Sequence, residues 1–184
     1  MNKVTWGLDV STSWIGFSII DEDGKLTVSD VIKLNPKNTY EKRIDQLEEY
    51  FMKNRNRHLM PSRVFVERPL SAVSRQMIAT VGKLNRFNGM VCYFLYQYLN
   101  TMIQAELIDP RSARAKFGLN VPMKAAKDKK EKKKVIIDFV QEQYPEFTYD
   151  VTPKGNPKPG TDDRADAVVI NMAGRKIFNT DSVA

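Results

Sequence analysis

A chain of 184 residues, 42% hydrophobic and 28% charged, is long enough to bury roughly two thirds of its unfolded surface in one core without help from disulfides or a structural metal. Its 29 Lys and Arg against 22 Asp and Glu give a formal charge of +7, which favours anionic partners. A single cysteine excludes a disulfide framework, and no apolar run approaches the roughly 20 residues of a membrane-spanning helix.

Residues 3 to 9 (KVTWGLD), 14 to 21 (WIGFSIID) and 25 to 33 (KLTVSDVIK) are short β-rich runs separated by the turn-forming VSTS and DEDG. They predict a three-stranded antiparallel meander. Because MNKVTWGLDV enters that strand pattern at once, a secretory signal is not expected. Thr39 is a good N-cap, and Tyr40, Ile44, Leu47 and Phe51 recur at helical intervals through YEKRIDQLEEYFMKNRNR, with His58 capping the helix end before Pro61. RVFVE, residues 63 to 67, reads as a strand stopped by Pro69.

The longest helical pattern covers residues 73 to 102, with Met77, Val81, Leu84, Val91, Leu95, Leu99 and Met102 among its apolar positions and Gly82 and Gly89 marking close packing or a bend. Cys92 lies in its apolar run GMVCYFLYQYL and reads as buried filler, consistent with a reducing compartment. That run is apolar on more sides than one sheet face requires, so part of it is expected to contact a second copy. AELID, residues 105 to 109, is a short strand. It is followed by a brief helical piece (RSARAKFG), the Lys-rich KAAKDKKEKKK, and VIIDFVQEQY as a continued helix stopped by Pro145. VTPKGNPKPGT, residues 151 to 161, is a loop, and a last helix runs from about Asp162 to Phe178. The order β-β-β-α-β-α-β-α-α predicts one α/β domain over residues 1 to 184, a five-stranded mixed sheet flanked by helices.

The last helix opens with TDDRADAVVI, three aspartates within five positions. Gathered carboxylates repel one another unless a cation or a helix N-terminus lies between them. Asp9 and Glu67 each end a predicted strand. Singly, these acids have ordinary readings as a turn residue, a first exposed position and a helix opening. Together they form a pattern, because ligand sites in sheets with parallel strands gather beyond the strands' carboxyl ends. Asp166 shares a helix face with Asp163, about 60° away, or with Asp162, about 40° away. Asp9, Glu67 and two acids from this helix would build an all-oxygen site suited to Mg²⁺ or Mn²⁺. Two such ions roughly 4 Å apart can activate a water and stabilise a leaving oxygen in phosphodiester hydrolysis.

Residues 124 to 134 carry seven lysines less Asp128 and Glu131, a local +5. Such a run is either a solvated helix face or a polyanion contact.

GLDVSTSWIGFSII, VFVERPL, DPRSARAKFG, KKVIIDFV and DDRADAVVI resemble, in order and spacing across nearly the whole chain, the RuvC-type Holliday junction resolvases of the RNase H-like superfamily. The resemblance implies an RNase H-like fold and a homodimeric, Mg²⁺-dependent endonuclease with two ions per active site, for which Mn²⁺ can substitute. Such an enzyme resolves four-way DNA junctions by paired cuts, leaving 5′-phosphate and 3′-hydroxyl ends, in DNA recombination and repair. It needs no nucleotide cofactor and no membrane. The setting implied is cytoplasmic, in a bacterium or a phage-infected host cell.

Carried over by position, the metal and catalytic residues are Asp9, Glu67, Asp166 and, three before the last, Asp163 rather than Asp162. The DNA-binding positions are Arg68, Leu70 as a wedge against unstacked bases, Arg75, and Lys124, Lys127, Lys129, Lys130, Lys132, Lys133 and Lys134. Val10 and Ser11 replace the family's usual Pro-Gly after the first acid, and Asp163 stands where many bacterial members have His. These departures and the long Pro/Gly loop point to a divergent, phage- or virus-like member. Three other readings stay open: a related nuclease acting on RNA or other branched DNA, a non-catalytic junction-binding protein, and a phosphotransferase suggested by LDVSTS. The last needs a second lobe for which the chain has no room.

Overall fold

The computed structural model describes residues 3–69, 75–119 and 129–178, with the backbone alone for residues 75, 76 and 129–132. Five strands, β1 (Val4–Val10), β2 (Trp14–Ile20), β3 (Leu26–Lys33), β4 (Pro61–Glu67) and β5 (Ala105–Ile108), form one sheet in the order β3-β2-β1-β4-β5. The first three pair antiparallel through the VSTS and DEDG turns, and β1–β4 and β4–β5 pair parallel. Parallel pairing needs a crossover, supplied by α1 (Tyr40–Lys53) and α2 (Arg75–Tyr98). The helices α3 (Pro110–Lys116), α4 (Lys129–Gln143) and α5 (Thr161–Ile177) follow β5.

Strand alternation assigns each face its work. From β1, Val4, Trp6, Leu8 and Val10 point into an aromatic core shared with Phe17, Phe51, Phe87 and Leu95. Trp6 stacks on Phe51 at 5.4 Å and donates from its indole N–H to the Leu59 carbonyl at 3.0 Å. The intervening residues Thr5, Gly7 and Asp9 face α5. This helix lies directly on the sheet because small residues meet there. A Cβ on Gly7 would stand 2.5 Å from the Ala167 carbonyl oxygen, one on Gly16 1.9 Å from the Asp163 carbonyl oxygen, and one on Gly174 2.2 Å from the Phe65 ring. Asn171 is fully buried and bonds the helix to two strands, accepting from Thr5 Oγ1 at 2.7 Å and donating to the Thr5 carbonyl at 3.1 Å and Ser18 Oγ at 3.2 Å. Ser18 Oγ in turn donates to the Ala167 carbonyl at 3.0 Å.

Several expectations change. The helix expected through Arg57 ends at Lys53 and gives way to a 3-10 turn over Arg55–Arg57. His58 caps that turn, but its ring is buried among Trp6, Phe17, Tyr50 and Phe51 at 5.0 to 6.1 Å, so it serves packing as much as capping. Gly82 and Gly89 mark no close approach, since a Cβ on either would meet nothing within 4 Å. The stretch counted once after β5 is two helices. Gly118 at φ 69° ends α3, with its N–H bonded to the Ala115 carbonyl and the Leu119 N–H to the Arg114 carbonyl, a Schellman closure that requires a left-handed residue. None of the helices among the described residues is long and apolar enough to cross a membrane.

Candidate active site at the carboxyl end of the central strands

Asp9 and Glu67 sit on neighbouring parallel strands. The register pairs Leu8 with Val66, and Asp9 and Glu67 are the next residue in each strand. Both face α5, since Val66 points into the aromatic core while Phe65, two before Glu67, packs under Gly174. Asp9 and Glu67 share a side-chain hydrogen bond. Glu67 is further fixed from behind, where Asn88 of α2 donates to its carbonyl oxygen at 3.0 Å.

The other two acids come from the first turns of α5. Its N-cap is Gly160 at φ 91°, which offers no side chain to the free helix N–H groups. The first turn's own acids, Asp162 and Asp163, therefore sit against that positive end. Gly16, paired with Asp9 across β1 and β2, lets the Asp163 backbone rest on the sheet. One strand pair thus sets the height of both strand-borne and helix-borne carboxylates.

Electrostatics tie the four together. Burial first, then Glu67, Asp166 and Asp163, raise Asp9 well above the usual carboxylate range. Glu67 is pushed up to about 7 by burial and Asp166, with Arg114 opposing. Asp163 rises to about 6 through burial and Asp162, against Lys133. Asp166 is raised by burial and opposed by Arg114. A group of acids that all prefer a proton is short of positive charge.

Arg114 supplies part of it. Asp109 caps α3 by accepting from the Ser112 N–H at 2.8 Å, and the helix carries Arg114 over the acids, where its guanidinium donates to Asp166 at 2.8 Å. Sequence reasoning quoted the segment DPRSARAKFG without singling out this residue. Its signal was a cation one helical turn after a capped Pro, at the end of a strand neighbouring β4.

The Lys-rich segment contributes at one described point, where Lys133 pairs with Asp162. Asp162 thus faces α4, whereas the charges felt by Asp9 are those of Glu67, Asp166 and Asp163. Lys134 is exposed on α4. Lys129, Lys130 and Lys132 lie on the same helix, and Arg75 opens α2, but their side chains fall outside the description, as do Lys124, Lys127 and Leu70 altogether. Arg68 is exposed just beyond Glu67, and its N–H donates to the Ile108 carbonyl at 2.8 Å.

An all-carboxylate set in a charge-deficient pocket has the chemistry of a hard divalent-cation site. Among the described residues no group of three or more His, Cys, Asp or Glu side chains is placed to hold a metal ion. Here Asp166 is turned to Arg114, Asp162 is turned to Lys133, and Asp9 and Glu67 are bonded to each other.

No protein-family model and no curated protein matches the sequence. Solved structures do match. Thermus thermophilus RuvC in complex with a Holliday junction substrate superimposes with a TM-score of 0.59 at 15% identity, covering 97% of each chain. The yeast mitochondrial Holliday junction resolvase gives 0.54 at 15% identity over 96% of this chain and 79% of that one. The fowlpox virus resolvase, solved with Holliday junction DNA, gives 0.53 at 12% identity over 95% and 98%. The fold is RNase H-like. The chain shares the fold of these structures over 95% to 97% of its length.

Proposed function

We propose that this chain is a divalent-metal-dependent endonuclease that resolves four-way DNA junctions, cutting two opposed strands to leave 5′-phosphate and 3′-hydroxyl ends. The observation that carries the reading is the convergence of Asp9, Glu67, Asp163 and Asp166 at the carboxyl end of the central parallel strands, where each is raised by burial and by its neighbours. The likeness to resolvases solved with junction DNA supports the choice of substrate.

In this proposal those four residues hold two Mg²⁺ ions, for which Mn²⁺ substitutes. When bound, the ions supply an activated water and stabilisation of the leaving oxygen. The chain's own residues do the rest. Asp9 and Glu67 would lend their carboxylate oxygens to the ions, and Asn88 keeps the Glu67 strand end in place. Arg114, bonded to Asp166, orients that carboxylate and leaves a guanidinium edge near the phosphate. Arg68, Lys133, Lys134 and the neighbouring lysines of the basic segment neutralise phosphates of the junction arms.

The two cuts require two sites. We place the contact between copies of the chain on the apolar groove between α1 and α2, lined by Ile44, Met90, Tyr93 and Phe94, where Tyr93 is 65% exposed. Sedimentation of the chain with Tyr93→Glu should show a loss of dimer.

Incubating a labelled four-way junction with Mg²⁺ tests the activity. Asp9→Asn, Glu67→Gln and Asp166→Asn should each abolish cutting while junction binding survives, because the basic surface remains. A variant that cuts at near-native rate removes its residue from the site. Cleavage of linear duplex or an RNA–DNA hybrid in preference to the junction would replace this substrate assignment.

A further inference from the structure

Beyond Asp9 the chain encloses a second cleft, on the α1/α2 side of the strand ends. It is a cavity of about 450 Å³ walled by Thr12 of the β1–β2 turn, Pro36, Tyr40 and Arg43 of α1, and Lys83 and Leu84 of α2. Ser11, at its edge, is two residues after Asp9. Arg43 fixes its walls. The side chain is buried, Nη1 donates to the Thr12 carbonyl at 2.8 Å and Nη2 to the Pro36 carbonyl at 2.6 Å, and its guanidinium lies 5.2 Å from the centre of the Tyr40 ring. Its Nε is buried with no partner, and an unpaired buried donor is costly without an acceptor. Arg86 covers the same ring at 5.6 Å and stands 3.9 Å from Glu41. Arg43 and Lys83 line the cleft with no acid beside them, so it is cationic with carbon walls at Pro36, Tyr40 and Leu84.

A bare phosphate would leave most of this volume empty, and a folded peptide element would not enter it. About 6–7 Å of extended chain separate Asp9 from Ser11, close to the reach of one extended nucleotide. We propose that the cleft is a subsite for one unpaired nucleotide of the strand being cut, with its phosphate toward Lys83 and its sugar and base against Pro36, Tyr40 and Leu84. This rests on the endonuclease reading and adds the side of the sheet along which the strand runs.

The test uses the full chain carrying Lys83→Glu, with Lys25→Glu as a control of equal charge change in the β2–β3 turn at the far end of the sheet. Both lysines are exposed, so both variants should fold. Anisotropy in Ca²⁺ measures binding of a labelled four-way junction, of the same junction with single methylphosphonates at successive positions around the cut, and of a short single-stranded oligodeoxythymidylate. Lys83→Glu should weaken binding of junction and single strand about tenfold beyond the control. One methylphosphonate position beside the cut should penalise the unmodified chain and not the variant. If Lys83→Glu matches Lys25→Glu, or if every methylphosphonate penalty is the same in both proteins, the subsite is wrong, and intact cutting would leave the endonuclease reading standing. A chain that does not cut junctions removes that reading instead, while the Lys83 comparison on the single strand still decides the cleft.

Discussion

The two faces of the central strand differ in what they ask of the same seven residues. Toward α1 and α2, Trp6, Leu8 and their neighbours fill space with large rings and branched chains, and Trp6, Phe17 and Phe51 meet at 5.2 to 5.4 Å. Toward α5, Thr5, Gly7 and Asp9 fill almost none; glycine contacts and one buried asparagine fix that helix instead. Bulk tolerates small adjustments, but backbone contact does not. The face that carries the acids is therefore built for position, and the opposite face for stability.

Trp6→Ala should have the largest effect on stability, costing about 3–5 kcal/mol by denaturant unfolding, yet the remaining folded molecules should cut at an unchanged rate. A proportionate loss of rate would end the division of labour between the faces. Gly16→Ala should cost less, about 1–3 kcal/mol, because its Cβ would meet the Asp163 carbonyl oxygen at 1.9 Å and push α5 off the sheet. Cutting should fall about 100-fold, as expected when reacting groups are displaced by roughly 1 Å.

Glu67→Gln sharpens the comparison in the opposite sense. A carboxyl whose pKa rises on folding binds its proton more tightly in the folded state, so metal-free stability is fullest below the unfolded value and is lost as pH rises toward the folded one. For Glu67 that window runs from 4.5 to about 7, and for Asp163 from 3.8 to about 6. In EDTA, melting curves of the wild type should fall across that range. Glu67→Gln should be flatter and, at pH 8, more stable by about 1–2 kcal/mol, though inactive. Parallel curves would show that Glu67 carries no such strain. The smallest effect belongs to Asp162→Asn, less than about 0.5 kcal/mol because its partner Lys133 is exposed, with cutting retained, whereas Asp163→Asn should impair cutting.

The strand runs, the crossovers and the final helix were legible because alternation and helical spacing survive in a single chain. Thr39 as a cap acted locally, as read. What escaped were contacts between distant segments. Gly7 and Gly16 carry no signal of their own in the strand alternation, and only the small-residue face of α5 at Ala167, Asn171 and Gly174 shows what they admit. Gly82 and Gly89 drew attention and admit nothing. The four acids were singled out because strand ends and helix openings are visible in sequence. Arg114 was passed over because its partner lies 52 positions away, beyond any local pattern.

The seating of the Asp163 carbonyl over Gly16 has a longer consequence. A peptide group measures the gap between strand and helix there, and every amino acid has the same peptide group. Surrounding residues can be exchanged over evolutionary time without resetting that ruler, provided one position stays bare. This offers a route by which chains sharing only 15% of their residues keep a common frame, and it marks Gly16 as the place where drift should be least forgiven.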